Sequence, residues 1–278
     1  MPPYEKKTII FVVSPGRSGQ SSLAKILEQA FPTAYVGFEE PQISYVLPRQ
    51  FAYFERKFRR RFVETDELLG RGRVLKAFEK QNKKKLRSFG LAKHDWILSK
   101  MRQKNAALGF EVNKHFLHGL HIGMADLPET KFKMIQLVRD PIENMRSFLN
   151  RNKNFFLDNS SPGCQHNELT LDPKKMSKGQ HYLHAWCECY LRAEKFCADQ
   201  KIELFSINTR ELQNPDKIQA LLEQTGLPYQ PISNYEKTNT NQSKGFGKTV
   251  VKSSDVEEAV LFWKMVPEKV KSRLPRID

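Results

Sequence analysis

Lys7-Thr-Ile-Ile-Phe-Val-Val-Ser-Pro-Gly-Arg-Ser-Gly-Gln-Ser-Ser-Leu-Ala-Lys-Ile-Leu-Glu-Gln-Ala30 is the stretch on which the fold turns. Residues 7–13 are short, apolar and β-branched, the composition of a parallel strand buried on both faces. A loop follows over 14–21, carrying Gly16 and Gly19. From Ser22 onward Leu23, Ile26, Leu27 and Ala30 recur at helical spacing and make one apolar stripe. Strand, glycine-containing loop and helix, in that order, open a nucleotide-binding βα unit.

The alternation continues outward from this unit. Residues 34–38, 107–112, 132–138 and 202–207 read as strands, and 141–150, 180–198 and 214–225 as helices. Gly226 and Pro228 give the last of these a stop signal. Residues 152–179 read as a long loop. Residues 49–104 are highly charged, with Arg59-Arg60-Arg61 and Lys83-Lys84-Lys85, yet carry apolar positions at helical intervals. They are expected to form a basic helical insertion near the mouth of the site. The fold class is therefore α/β, a P-loop-like central parallel sheet flanked by helices. A chain of 278 residues fits one such domain over 1–278.

The 46 Lys and Arg outnumber the 31 Asp and Glu, a net charge of +15, so anions are the expected partners. Nucleic acid is not expected, because the basic runs lack a recognisable nucleic-acid motif with interleaved aromatics. No apolar run approaches the roughly 20 residues that span a bilayer. The first clean apolar stretch, Ile9 to Val13, has strand length and no cleavage site. A cytoplasmic location is expected, or a Golgi-type lumen if an N-terminal anchor precedes this sequence. Cys164, Cys187, Cys189 and Cys197 have neither zinc spacing nor the look of a disulfide framework, and read as reduced thiols.

Two motifs carry chemistry. In the first, Ser14 to Ser22, backbone N–H groups at a helix start can hold phosphate or sulfate oxygens. Gly16, Arg17, Ser18, Gly19, Gln20, Ser21 and Ser22 are the candidate anion ligands. A P-loop phosphotransferase needs Lys after the last glycine. Gln20 stands there instead, and Arg17 supplies the cation from inside the loop. In the second motif, Asp140, Pro141 and Glu143 start a helix as N-cap, first-turn proline and capping acid. That role leaves Arg139 unexplained. It sits at the carboxyl end of a central strand, where open α/β sheets bind ligands. Ser147 lies two turns along the helix, and an arginine with a hydroxyl can grip a terminal phosphate.

The loop Pro15-Gly-Arg-Ser-Gly-Gln-Ser-Ser-Leu23 resembles the 5'-phosphosulfate loop of sulfotransferases that use 3'-phosphoadenosine 5'-phosphosulfate (PAPS). Its internal arginine is similar to that of the tyrosylprotein and bacterial carbohydrate enzymes. Val138-Arg-Asp-Pro141 and the eight-residue step from Arg139 to Ser147 resemble the family's 3'-phosphate motif. Thr209-Arg-Glu-Leu-Gln-Asn-Pro-Asp216 is a weaker match, with Thr209 where tyrosine is usual. The resemblance implies a PAPS-dependent sulfotransferase that releases 3',5'-adenosine bisphosphate (PAP). It further implies that Arg17 stabilises the leaving oxygen and that Arg139 and Ser147 hold the 3'-phosphate. Glu40, in Gly37-Phe-Glu-Glu-Pro41 after the second strand, becomes the general base, with Glu39 second. Lys244 and Lys248, in the glycine-rich basic loop 243–249, are implied to close over the 3'-phosphate.

The acceptor is a hydroxyl, expected on a carbohydrate, and the basic helices offer contact to an acidic glycan. Lys114, after a strand, is a candidate to face it. No metal is required. His115, His118 and His121 fall at steps of three, which spreads them around a helix, so solvated or capping roles are expected. Two other classes remain: a P-loop kinase-like phosphotransferase on a small metabolite, and a non-enzymatic basic module for acidic polymer.

Overall fold

β1 (Thr8–Val13) has five of its six residues buried, because it is the middle strand of the sheet and has a layer packed on each face. In the computed structural model, residues 7–41, 48–51, 54, 55, 58, 62, 65–125, 127, 131–150, 159–232 and 250–276 are described. β1 pairs in parallel with β3 (Leu108–Val112) and β4 (Lys131–Val138). β2 (Tyr35–Phe38) adds to β3, and β5 (Leu204–Asn208) to β4, also in parallel. The order is β2-β3-β1-β4-β5. Because every described strand runs the same way, the residues that follow β1, β2, β3, β4 and β5 all emerge at one edge of the sheet.

Side chains alternate across the strands and build two cores. Ile10 and Val12 face α1 (Gln20–Ala30) and α8 (Pro215–Gln224), through Leu23, Leu27, Leu221 and Leu222. Ile9, Phe11 and Val13 face the other way, toward α4 (Lys83–Gln103), α5 (Leu120–Met124) and the far end of α7 (Lys178–Gln200). A third cluster joins α6 (Pro141–Leu149), α7 and α9 (Ser253–Met265), with Met145, Trp186 and Phe262 at its centre. α7 starts at a capping box made by Ser177 and Gln180. No helix among the described residues is long and apolar enough to cross a membrane.

The charged stretch 49–104 is helical in its described parts, with a 3-10 turn at Arg49–Phe51, α2 (Thr65–Leu68), α3 (Arg73–Glu79) and α4. α4 is the crossover between β2 and β3, and it lays Leu86, Ile97 and Met101 on the sheet. Most of its charges sit on the opposite side, with Lys93 the buried exception. The chain end is helical too, through α9 and α10 (Glu268–Lys271), which no sequence signal announced. α9 exposes Val256, Val260 and Leu261, and that blurs the apolar stripe a helix normally shows.

α4 crosses α5 at a glycine pair. A methyl group at Gly90 would stand 2.5 Å from the backbone of Gly123, and one at Gly123 would meet the Leu86 carbonyl oxygen. Both helices must therefore stay bare at this contact. Gly123→Ala is expected to cost about 1–3 kcal/mol through overpacking. The melting temperature should fall by ~2–4 °C per kcal/mol, read by thermal denaturation; an unchanged melting temperature would show that the crossing can open without penalty.

Candidate functional site

The loop between β1 and α1 sits at the carboxyl edge of the sheet and is held in an unusual path. Arg17 and Gly19 both have left-handed backbone conformations, with φ of 75° and 85°. Gly19 is required twice over: a Cβ there would also press within 3.2 Å of Thr209 and 3.3 Å of Leu212. Gly19 is also the N-cap of α1, and it brings no side chain to cap the helix. The positive end of α1 thus faces the loop's hollow without a built-in acceptor, the arrangement that binds anions. Gln20 is buried there, and its amide nitrogen has no hydrogen-bond partner within the described structure.

Four side chains fasten this loop. Ser18 is fully buried; its hydroxyl donates to the Pro15 carbonyl at 2.8 Å and accepts from the Asn144 amide at 2.6 Å. Its side chain is therefore a structural peg. Tyr182, from α7, donates to the Gly16 carbonyl at 2.7 Å and also meets the Asn144 carbonyl oxygen. Burial pushes the Tyr182 phenol well above its ordinary range, so it stays a donor. The Thr209 hydroxyl lies 2.8 Å from the Ser18 carbonyl and 3.0 Å from that of Val138. Thr209 thus ties the loop to β4. Asn144 and Tyr182 have no motif around them, and only their place on the two helices beside the loop reveals them.

The second motif closes on the first. Arg17 Nε donates to Ser147 Oγ at 3.3 Å, and Arg139 Nη1 donates to the Arg17 carbonyl at 2.7 Å. Asp140 caps α6 through the amides of Ile142 and Glu143. Glu143 then lies between two arginines, 3.7 Å from Arg139 Nε and 2.7 Å from Arg210 Nη2. Trp186 fixes the strand end by donating to the Arg139 carbonyl at 3.0 Å. Arg146 forms a two-pronged pair with the buried Asp255, 2.6 Å on its Nε side, which pins α9 onto α6. Gly16, Arg17, Gln20, Arg139 and Ser147 thus meet at one edge, with Ser21 and Ser22 on the first turn of α1. Lys244 and Lys248 lie outside the described residues.

The two glutamates after β2 part company. Glu39 pairs with Lys114 at 2.9 Å, and the Lys114 stem passes beside Gly16. Glu40 accepts through its backbone carbonyl from Lys93 Nζ at 2.7 Å. Lys93 comes from α4, is wholly buried, and pairs at 2.5 Å with the equally buried Glu111 of β3. Burial raises the Glu111 carboxyl above its usual range and lowers the Lys93 ammonium below its own, each opposed by the partner's charge. Tyr35 lies at the same place; burial, then the charges of Glu111 and Glu40, push its phenol up. Sequence reading missed Lys93 and Glu111, since one lysine in a lysine-rich helix carries no mark of being buried.

The histidines are not solvated as expected. His115 and His121 are buried, because the segment after β3 folds into a 3-10 turn and α5 that press on the sheet through Phe116, Leu117 and Leu120. The His121 ring packs against Phe116 and Phe196. Burial, then Arg192, push His121 down to about 3 and His118 well below its ordinary value, so both stay neutral. The four cysteines are free, and burial raises Cys189 and Cys197 to about 12.

No protein family model matches the chain, and no curated protein matches it. Among solved structures, a sulfotransferase domain from the curacin biosynthetic pathway is 13% identical, with a TM-score of 0.44 over 92% of this chain and 98% of that one. A sulfotransferase domain from the Synechococcus PCC 7002 olefin synthase is 14% identical, with a TM-score of 0.47 over 96% and 99%.

Removing one partner of a buried ion pair strands the other. Lys93→Met should cost about 3–5 kcal/mol, while Lys93→Met with Glu111→Leu should recover most of that loss. In the single variant the Glu111 carboxyl is held further above its unfolded value. Its penalty is therefore absent below the unfolded carboxyl range and grows as pH rises through it. Denaturant titrations of both variants across acid and neutral pH check this; equal losses in the single and double variants would contradict it.

Proposed function

We propose that this chain is a sulfotransferase that moves a sulfuryl group from PAPS to an acceptor hydroxyl, on a carbohydrate. The observation that carries the reading is the meeting of Arg17, Ser147 and Arg139. Two segments more than a hundred residues apart in the chain supply two arginines and a hydroxyl to one strand edge, beside an uncapped helix start. A donor with an anion at each end needs two such grips. The unpaired Gln20 amide and the amides of the loop suit the phosphosulfate end, and Arg139 with Ser147 suits the 3'-phosphate. Lys244 and Lys248 are proposed to close over that phosphate.

The chemistry asked of these residues is an in-line displacement. Glu40 takes the proton of the acceptor hydroxyl as its oxygen bonds to sulfur. The bond from sulfur to the bridging phosphate oxygen breaks, and PAP leaves with the electron pair. Arg17 and the loop amides bear the charge that develops on that bridging oxygen. Glu39 is engaged by Lys114, which sets Lys114 between the loop and the acceptor side. The exposed Lys83, Lys84 and Lys85 at the start of α4 are the proposed contact for an acidic glycan. Gln20 replaces the lysine that a phosphotransferase loop needs, which disfavours the kinase reading.

The test is thermal stabilisation by PAP against ATP with magnesium. A ligand at 100 times its dissociation constant adds roughly 2.7 kcal/mol, a shift of several degrees. PAP is expected to stabilise the protein and Arg139→Ala to abolish the effect. Stabilisation by ATP with magnesium alone would sink the proposal in favour of a phosphotransferase. With an acceptor that turns over, Glu40→Gln should lower kcat by ~10²–10⁴-fold and leave PAP stabilisation intact; wild-type turnover in that variant would remove Glu40 from the role.

A further inference from the structure

Outside the site, α9 turns an unpartnered face outward. On a helix of 3.6 residues per turn, Val256, Val260, Lys264, Glu257 and Leu261 fall in that order across an arc of about 140°. Val256, Val260 and Leu261 are 43%, 49% and 56% exposed, while Asp255, Ala259 and Phe262 are buried behind them. Val250 and Val251, just before the helix, are exposed as well. The face is held in place from behind, by Asp255 on Arg146 and by Glu258 on the Ser177 hydroxyl. Glu257 and Lys264 occupy the middle of the arc, exposed and without a hydrogen-bond or ion-pair partner among the described residues. They are seven residues apart, about 10 Å along the axis, too far to pair with each other.

We infer that this face of α9 docks onto α9 of a second copy of the chain, the two helices antiparallel about a two-fold axis that passes between Val260 and Leu261. A two-fold contact has to be self-complementary: what one copy offers, the same surface on the other must accept. The arc meets that condition in charge and in shape. In an antiparallel pair centred between 260 and 261, position 257 of each copy lies opposite position 264 of the other, so Glu257 faces Lys264 twice, once at each end of the contact. Val260 and Leu261 flank the line between these charges, about 50° to either side. The axis therefore sets each apolar residue against its own counterpart, between the two ion pairs. An anionic lipid surface would meet Glu257 at the centre of the face, where a cation is wanted. The net charge of +15 opposes association of two copies, and one helix from each is a smaller contact than the about 800 Å² per partner of a standard interface. The dimer is accordingly expected to be concentration-dependent. The inference is independent of the sulfuryl-transfer reading.

Sedimentation velocity of the full chain, from about 1 to about 200 μM, tests it. The weight-average mass should rise with concentration from one chain toward two. Val260→Ser with Leu261→Ser should weaken dimerisation by at least ~10-fold. Glu257→Lys and Lys264→Glu, made singly, each set like charges opposite one another and should each weaken it by ~10-fold. The two changes shift the net charge in opposite directions, so a loss in both is not an effect of overall charge. Combined, they recreate the pairs in reverse and should restore dimerisation to within about twofold of the native chain. All these positions are exposed, and unchanged melting temperatures will show that the variants are folded. A mass of one chain at every concentration overturns the inference. So does native dimerisation by the serine variant or by either single charge variant, which would place the contact elsewhere, and so does a double charge variant that fails to recover.

Discussion

Everything at the carboxyl edge of the sheet depends on how the loop after β1 is held down. Left-handed backbone at Arg17 and Gly19 is costly for the arginine and would relax if the loop could move. It is prevented from moving by a small buried polar network. The Asn144 amide reaches the Ser18 hydroxyl, Tyr182 reaches the Gly16 carbonyl, and Thr209 bridges to β4. Ser18, Asn144 and Tyr182 are buried, so a hydrogen bond that breaks among them leaves a buried polar atom unsatisfied. The network therefore makes the strained loop the cheaper state. It also draws on three separate elements, α6, α7 and the turn after β5. The loop's shape is thus a property of the whole fold and not of its own nine residues.

The same reasoning explains why α4 belongs to the body of the protein. Lys93 reaches the Glu40 carbonyl and the Glu111 carboxylate from inside the crossover. Two opposite charges placed in the core stabilise little by themselves, since their desolvation offsets their attraction. What they supply is position, because no other register of α4 would satisfy both groups. The turn after β2 is fixed by that lysine and the turn after β3 by the pairing of Lys114 with Glu39.

How far this was legible in the sequence follows from periodicity. β1, α1, β4 and α6 were readable because their patterns are simple: β1 is buried on both sides, β4 becomes largely buried from Met134 onward, and the helices have one apolar stripe. α4 was readable as helix, but the burial of Lys93 was not, because lysines at its surface hide a lysine in its core. α9 was not readable, since valines and a leucine on its open face break the stripe. Within the site, Gly16, Arg17, Gly19, Arg139 and Ser147 were visible because loop and cap residues have strict local requirements. Asn144 and Tyr182 were not, because their requirement is a partner far away in the chain. The histidines failed for a related reason: spacing alone cannot tell a side chain in water from one under a sheet.

The distribution of charge separates binding from surface attraction. At the candidate site the cations are already oriented, Arg139 and Arg210 by Glu143, Lys114 by Glu39, and Arg146 by Asp255. Such groups lose little freedom when an anion arrives, so their attraction is not consumed in ordering them. Part of the surplus that produces +15 lies elsewhere, as in Lys83, Lys84 and Lys85 at the start of α4, whose side chains face solvent. Charges of that kind act through the field and fall away with salt. The chain thus carries two sorts of positive charge: a paired set that can recognise an anion by geometry, and solvent-facing lysines such as Lys83, Lys84 and Lys85 that attract anions through the field.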